Sequence, residues 1–139
     1  MTPTEILFIA GIAAGAAVFL YLTLSRDLRG SATAAAWLGG GFFGFTAVTA
    51  WAEGPIGFVA NHTTNLWGAQ VWYDLIFAVS IALFLLIPRA RAVGMRTWPW
   101  IIGAGLTASI ALLPMLARVL WLERRKASAG AAVVQGSAL

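Results

Sequence analysis

The carboxylate of Asp74 is the group best placed to do chemistry, because it lies within an apolar run of the chain, Leu66–Ile87. A charged group in a membrane is costly and usually faces the protein interior or water. On a helix, every fourth residue shares one face, which here is small and polar: Gln70, Asp74, Ala78 and Ala82. We expect this face to look toward another helix. Asp74 is then either a structural charge or a carboxylate that handles a proton or contacts a substrate.

Arg118 is the predicted structural partner of Asp74. Two apolar runs joined by a short connection are expected to be antiparallel neighbours, which would place Trp67 and Trp121 at one membrane interface. Counted from these tryptophans, Asp74 lies about 10 Å deep and Arg118 about 5 Å deep. A long arginine side chain can close that gap. The sequence therefore predicts a buried polar pair of Asp74 and Arg118 with Gln70 beside it, and hydrogen bonding of Asp74 to Trp and Tyr donors stays open.

The remaining polar residues form no recognisable catalytic or metal-binding set. His62 is the only histidine, and His62 with Glu53 gives too few ligands for a metal site. The chain has no cysteine, which excludes disulfides, thiolate metal sites and cysteine nucleophiles. No nucleotide-binding loop, nucleophile–base set or paired carboxylates are present. We predict no catalytic residue, no metal and no cofactor, and a bound lipid or pigment stays open.

The composition indicates the elements that must carry these residues. Hydrophobic residues make up 60% of the 139 positions and charged residues 10%, whereas a soluble domain has about a quarter charged. Four apolar runs approach the roughly 20 residues that cross a bilayer: 6–24, 34–51, 66–87 and 98–122. The sequence predicts an all-α, membrane-embedded bundle of four transmembrane helices over residues 1–126. A polar C-terminal tail, 127–139, is expected not to fold alone. Because Met1–Glu5 has no Lys or Arg, we interpret the first run as a retained helix.

Small residues and tryptophans mark the surfaces of this predicted bundle. Small-xxx-small pairs predict close helix packing at Gly11 and Gly15, Gly40 and Gly44, and Gly105 and Ser109. Tryptophans are enriched at membrane interfaces. The predicted spans place Trp51, Trp67, Trp72 and Trp121 at one interface and Trp37, Trp98 and Trp100 at the other. We interpret all seven as interface anchors.

The basic residues indicate an orientation but leave one conflict. The first and third connections carry five arginines: Arg26, Arg29, Arg89, Arg91 and Arg96. The N-terminus and the second connection, 52–65, carry no Lys or Arg. The positive-inside rule then places the N-terminus outside the cell. Four spans would also place Arg124, Arg125 and Lys126 outside, against the same rule.

The stretch from Trp72 to Arg124 resembles an uncharacterised group of small bacterial inner-membrane proteins. The residues that carry the resemblance are Trp72-Tyr73-Asp74-Leu75, the basic segment Pro88–Arg96, Trp98-Pro99-Trp100 and the Arg-rich end of the last span. The resemblance covers about the last two predicted spans. It implies a multi-pass protein of the bacterial inner membrane and implies no catalytic activity.

Three functions remain open at this stage. The first is a non-catalytic accessory subunit of a larger membrane protein complex, with other membrane subunits and lipids as partners and no nucleic acid. The second is a small membrane enzyme or carrier for an isoprenoid-like lipid or pigment, in which aromatic residues line a pocket beside Asp74: Phe42, Phe43, Phe45, Tyr73 and Phe77. The third is a proton or ion path through Asp74, Gln70 and Glu53.

Overall fold

The computed structural model describes residues 2–24 and 30–136, and within them the chain is helical. The helices are α1 (Pro3–Leu24), α2 (Ala32–Glu53), α3 (Gly57–Thr63), α4 (Leu66–Ala92), α5 (Trp98–Thr107) and α6 (Ser109–Gly136). The chain divides into two units, Met1–Gly30 and Ser31–Leu139. The all-α prediction is confirmed. Among the described residues, two stretches are long and apolar enough to cross a membrane: Pro3–Tyr21 and Leu66–Ala92, with mean hydropathies of 1.9 and 2.1.

Helix α1 makes up the first unit, and a reciprocal cap fixes its start. The backbone N–H of Thr2 donates to the Glu5 carboxylate at 2.9 Å, and the N–H of Glu5 donates to the Thr2 hydroxyl at 3.2 Å. This arrangement satisfies two backbone donors that a helix start leaves open. The helix therefore begins three residues before the predicted apolar run, because its start is set by polar capping residues.

Capping residues also set the helices around the second connection. Ser31 caps α2 by accepting from the N–H of Ala34 at 3.2 Å, and Asn65 caps α4 by accepting from the N–H of Gly68 at 2.9 Å. Helix α2 ends at Gly54, whose φ of +87° is in the region that favours glycine. The short helix α3 occupies what the sequence predicts as a connection at 52–65.

Helix α4 passes through Pro88 and ends later than the predicted span. The turn that ends it uses Gly94 at φ +75°, whose N–H donates to the Arg91 carbonyl at 2.9 Å. The N–H of Met95 donates to the Ala90 carbonyl at 2.9 Å, so the last carbonyls of the helix are satisfied. The connection predicted at 88–97 is therefore only residues 93–97, and Arg89 and Arg91 lie on the helix.

The predicted fourth span does not form one continuous helix. At Ala108 the backbone has φ +48° and ψ −117°, which ends α5. A Cβ placed on Gly103 would lie 3.1 Å from the Cβ of Ala111, whereas eight residues of continuous helix separate two positions by about 12 Å. The chain therefore reverses at Ala108, and α5 and α6 form a tight antiparallel hairpin. The prediction of a single helix over 98–122 is wrong.

Helix α6 also continues where the sequence predicts a tail. It extends to Gly136, while residues 137–139 lie outside the described part of the chain. The composition of 127–136 gives no apolar face of its own, so the prediction treats it separately from the preceding span. The structure shows that the helical backbone simply propagates through it, since adding a residue to an existing helix is far easier than starting one.

Helices α4 and α6 run parallel over their shared length. The Arg89 guanidinium donates to the Glu123 carboxylate, and Lys126 Nζ donates to the Ala92 carbonyl at 3.0 Å. In both contacts the two residues are 34 positions apart in sequence. Because the two contacts advance together along both helices, the two helices are parallel, and a residue of α6 before Lys126 lies at about the level of the residue 34 positions before it in α4.

Helix α2 runs antiparallel to α4. Its far end, at Glu53 and Gly54, shares a cleft with α3, and α3 packs on the first turns of α4 through Phe58 and Trp72. Earlier in α2, Gly39 lies against Leu113 and Pro114 of α6. Helix α2 therefore begins near the end of α4 and ends near its start.

The buried core of the second unit lies where α4, the 93–97 turn and α6 meet. Its members are Leu86, Ala90, Met95, Met115 and Val119, and the partly buried Trp100 packs against them. Ala90, Met115 and Val119 are fully covered. The core therefore occupies the half of the unit near the end of α4, which is the half that the α5–α6 hairpin reaches.

Candidate functional site

Asp74 lies on an exposed face of α4 rather than against another helix of its unit. Gln70, Asp74 and Ala78 are exposed, and only Ala82 of the predicted polar face is partly covered. Within residues 2–24 and 30–136, no hydrogen bond or ion pair reaches the Asp74 carboxylate. The inward face of α4 is instead formed one residue further round, by Leu75, Val79, Ala82, Leu83, Leu86 and Ala90.

Arg118 is also exposed, and the structure does not bring it to Asp74. The 34-residue offset places Arg118 beside Phe84, ten residues along α4 from Asp74 and so about 15 Å away along the axis. The same offset places Ala108, the turn of the hairpin, beside Asp74. The sequence predicts the pair because a single helix after a short connection would run antiparallel to α4. The unpredicted reversal at Ala108 makes α6 parallel to α4 and separates the two charges.

The charged contact that the structure does show lies at the end of α4. Arg89 donates from Nε and from one terminal nitrogen to the two carboxylate oxygens of Glu123, at 2.9 Å and 2.8 Å. Lys126 Nζ donates to the carbonyl of Ala92, the last residue of α4. Arg125 lies over the ring of Trp121, 4.7 Å from its centroid. The spacing of these residues gives no sequence signal, since the contact depends on the hairpin.

The Lys and Arg residues described in the second unit all lie in the half near the end of α4. Six of them form a cluster at the end of α4 and the adjoining turns of α6: Arg89, Arg91, Arg96, Arg124, Arg125 and Lys126. One of these, Arg89, pairs with Glu123. Arg118 lies below this cluster on α6. The opposite end carries Glu53 and, part-way along α4, Asp74, with no Lys or Arg between residues 53 and 74. Arg26 and Arg29 lie outside the described residues.

The tryptophans separate to the same two ends, with one change from the prediction. Trp121 lies two residues before Glu123, so it is near the end of α4 and not level with Trp67. One group is therefore Trp37, Trp98, Trp100 and Trp121, and the other is Trp51, Trp67 and Trp72. All but Trp100 are exposed, from 38% for Trp72 to 93% for Trp51.

The glycines that make close contacts are not the predicted ones. Within their own units, a Cβ on any of the predicted packing glycines would meet no atom within 4 Å: Gly11, Gly15, Gly40, Gly44 and Gly105. Ser109 is partly buried at the start of α6. The close approaches are at Gly39 against α6, at Gly103 against Ala111, and at Gly68 against the Asn61 carbonyl. The predicted packing glycines therefore make no close contact within their own units, and in α2 the adjacent Gly39 packs against α6 instead.

An aromatic cluster at the start of α4 was not singled out by the sequence. The Phe58 and Trp72 rings stack with centroids 6.1 Å apart, and His62 meets the edge of Trp72 at 5.4 Å. Nδ1 of His62 hydrogen-bonds to the Phe58 carbonyl at 2.6 Å. Gly68 permits this packing, because any side chain there would collide with the backbone of Asn61. The sequence does contain one indication of this cluster. Gly68 follows the Asn65 cap and lies one helical turn before Trp72, which pairs with Phe58.

A cleft of about 150 Å³ lies beside this cluster, between α2 and α3. Glu53 and Asn61 contribute polar groups to its lining. The Thr46 and Thr49 hydroxyls also line it, although both donate to backbone carbonyls of their own helix. Asp74 lines neither this cleft nor the shallow depression on α1.

The aromatic residues predicted to line an isoprenoid pocket line neither of the two clefts described above. Phe42, Phe43, Phe45, Tyr73 and Phe77 are exposed at 42–61%. Tyr73 and Phe77 contact each other, with centroids 6.3 Å apart on the outer surface of α4. Glu53, Gln70 and Asp74 are likewise joined by no hydrogen bond in the described part of the chain. No group of three or more potential metal ligands occurs among the described residues.

Comparison of the chain with models of protein families, with characterised proteins and with solved structures finds no match.

Proposed function

We propose that the chain is a non-catalytic, multi-pass subunit of a larger protein complex in the bacterial inner membrane. The observation that carries the proposal is the exposure of α4. This helix has a mean hydropathy of 2.1, yet only 6% of its most apolar window is buried inside the chain. The core helix of a soluble protein would be mostly covered, so the apolar surface of α4 needs lipid or another subunit around it.

The glycine-containing faces of α2 support a role in assembly. Gly39 is filled by α6, whereas Gly40 and Gly44 present open backbone on another face of the same helix. Small residues let helix backbones approach closely, which is a main source of association in lipid. The second unit is thus already packed through one glycine and retains an unused small-residue face for a partner helix.

The predicted four-helix membrane bundle is part of the proposal in an altered form. Helices α1, α2 and α4 contain the predicted spans and extend a few residues beyond them, and the fourth run is divided at Ala108. No observation favours the hypothesis of an enzyme or that of a proton path, since Asp74 lies outside both described clefts. The proposal therefore gives Asp74 no catalytic role.

The test is to extract the tagged full-length chain from bacterial membranes in a mild detergent and to determine its mass by native mass spectrometry. We expect the chain to remain in the membrane fraction after alkaline washing and to purify with other membrane proteins in fixed proportion. Gly40→Leu should weaken that association. Recovery of the isolated chain alone, from wild type and variant alike, would contradict the proposal.

A further inference from the structure

The α5–α6 hairpin changes how the chain can cross a membrane, and this inference rests on the membrane location proposed above. Helix α5 has ten residues, about 15 Å in length, which is half of the hydrocarbon thickness. The chain then reverses at Ala108, which the 34-residue offset places beside Asp74. Measured along α4 from Arg89, the hairpin therefore descends about 22 Å before it turns back. It does not reach the start of α4.

The end of α6 consequently lies on the same side as the end of α4. Glu123 and Lys126 contact Arg89 and Ala92, so the residues after Lys126 extend beyond the last turn of α4. The start of α2, at Ser31, lies at this same end, because α2 runs antiparallel to α4. The opposite end contains α3 and the connections on either side of it.

This arrangement removes the charge conflict that a four-span chain creates. Four full spans would place the basic residues of α6 on the opposite side from those of α4. With a hairpin that enters and leaves on one side, the six cations of the cluster lie together. Every Lys and Arg described in the second unit then belongs to one side, which is what the positive-inside rule favours for short segments near membrane helices.

The six cations form a surface with the charge that anionic phospholipid headgroups would bind. In the described part of the second unit, Glu123 is the carboxylate that lies with these six cations, and Arg89 pairs with it, so positive charge is in excess at this end. Trp98 and Trp121 are exposed near the same cations, at 63% and 46%, and amphipathic rings of this kind lie at headgroup level. Anionic phospholipids on the cytoplasmic leaflet attract Lys and Arg near the surface.

We propose that α5–α6 is a re-entrant hairpin that enters the membrane from the cytoplasmic side, and that it joins the end of α4 to form one basic surface that binds anionic phospholipid headgroups. The surface consists of Arg89, Arg91, Arg96, Arg124, Arg125 and Lys126. It holds the hairpin at partial depth, because its cations remain at the headgroups while Ala108 lies in the hydrocarbon.

Single-cysteine labelling tests the topology, and the natural chain has no cysteine to interfere. The variants are Ala92→Cys at the end of α4, Ser128→Cys on α6 and Ile56→Cys between α2 and α3, and all three positions are exposed. With a membrane-impermeant maleimide, we expect Ile56→Cys to react in intact spheroplasts and the other two to react only after permeabilisation. Reaction of Ser128→Cys together with Ile56→Cys, and opposite to Ala92→Cys, would overturn the hairpin.

The same labelling separates this inference from the proposed function. A chain that stays on one side of the membrane would label alike at all three positions, which would overturn the membrane crossing and with it the proposed function. A spanning chain whose Ser128→Cys lies opposite Ala92→Cys would leave the proposed function intact and remove only the re-entrant hairpin.

Reconstitution of the full chain tests the headgroup surface. The thermal midpoint is compared in phosphatidylcholine vesicles and in vesicles of equal parts phosphatidylcholine and phosphatidylglycerol. We expect a higher midpoint with phosphatidylglycerol, and Arg91→Gln with Arg96→Gln should remove roughly a third of that gain, since two of six cations are lost. The control is Glu53→Gln, a charge change at the opposite end that should leave the gain unchanged. An equal gain in the double arginine variant would overturn the headgroup surface.

Discussion

At the scale of single residues, the position of a side chain depends on which way its helix runs more than on its distance from a tryptophan. The depths of Asp74 and Arg118 below Trp67 and Trp121 predict a pair. Both depths are reasonable for antiparallel neighbours, but the parallel arrangement of α4 and α6 separates them by about 15 Å. Each charge then interacts with its own surroundings.

Asp74→Asn and Arg118→Gln are therefore expected to act independently. Mutations more than about 7–10 Å apart without shared partners add within about 0.3–0.5 kcal/mol. We predict that the changes in unfolding free energy of the two single variants sum to that of the double variant in detergent. Recovery of stability in the double variant would instead show that the two charges meet.

Gly39 and Gly40 provide a matched pair of neighbouring positions with opposite surroundings. A Cβ on Gly39 would lie 3.2 Å from Leu113 and 3.3 Å from Pro114, whereas Gly40 has open space. We predict that Gly39→Leu lowers the unfolding free energy of the isolated chain by about 1–3 kcal/mol through overpacking. Gly40→Leu should leave the isolated chain unchanged. Equal thermal midpoints for the two variants would show that α2 and α6 do not pack through Gly39.

At the scale of elements, the sequence predicts helices well and predicts their reversal poorly. Apolar runs locate α1, α2 and α4, because a helix in lipid must satisfy its own backbone. The reversal at Ala108 gives no Gly or Pro signal, since the turn residue is an alanine in a left-handed conformation. The one indication in the sequence is electrostatic. Four spans leave Arg124, Arg125 and Lys126 on the side that the rule disfavours, and a reversal removes that conflict.

The backbone at Ala108 predicts a stabilising substitution. A non-glycine residue at φ +48° and ψ −117° is strained, by an amount of order 1–3 kcal/mol for such conformations. Ala108→Gly should relieve most of this and raise the thermal midpoint, after allowing about 0.5–1 kcal/mol for the flexibility of glycine in the unfolded chain. Ala47→Gly, at an exposed site within α2, is the control and should lower the midpoint. A lower midpoint for Ala108→Gly would show that no strained turn exists there.

The ion pair between α4 and α6 predicts a measurable coupling between the helices. Arg89 and Glu123 are 46% and 33% exposed, so solvent screens their attraction, but the two-point geometry is favourable. A double-mutant cycle with Arg89→Gln and Glu123→Gln should give a coupling of about 0.5–1 kcal/mol that shrinks at high salt. Zero coupling at low salt would indicate that the ion pair does not stabilise the packing of α4 against α6.

At the scale of the whole molecule, the described part of the second unit has a polarity that the linear sequence conceals. Its core and its cations lie where α4 ends, whereas the α3 end has an aromatic cluster and a small cleft. The composition predicts a membrane protein, but it cannot assign each charge to an end, since that assignment requires the direction of every helix. The constant offset between α4 and α6 supplies the missing direction.

The last prediction concerns where the folded unit ends. The sequence divides the chain after residue 126, and in the structure the contacts between α6 and α4 also end at Lys126. Residues 127–130 are exposed, and the Ser128 hydroxyl bonds only to the Arg124 carbonyl of its own helix. A chain that ends at Lys126 should therefore keep the thermal midpoint of the full chain.

A second truncation supplies the contrast. Ending the chain at Leu122 removes Glu123 and Lys126, and with them both contacts to the end of α4. It also removes half of the basic surface, so both the thermal midpoint and its gain from phosphatidylglycerol should fall. If the chain that ends at Lys126 already has a thermal midpoint as low as that of the chain that ends at Leu122, the last turns of α6 stabilise the unit through contacts other than those with α4.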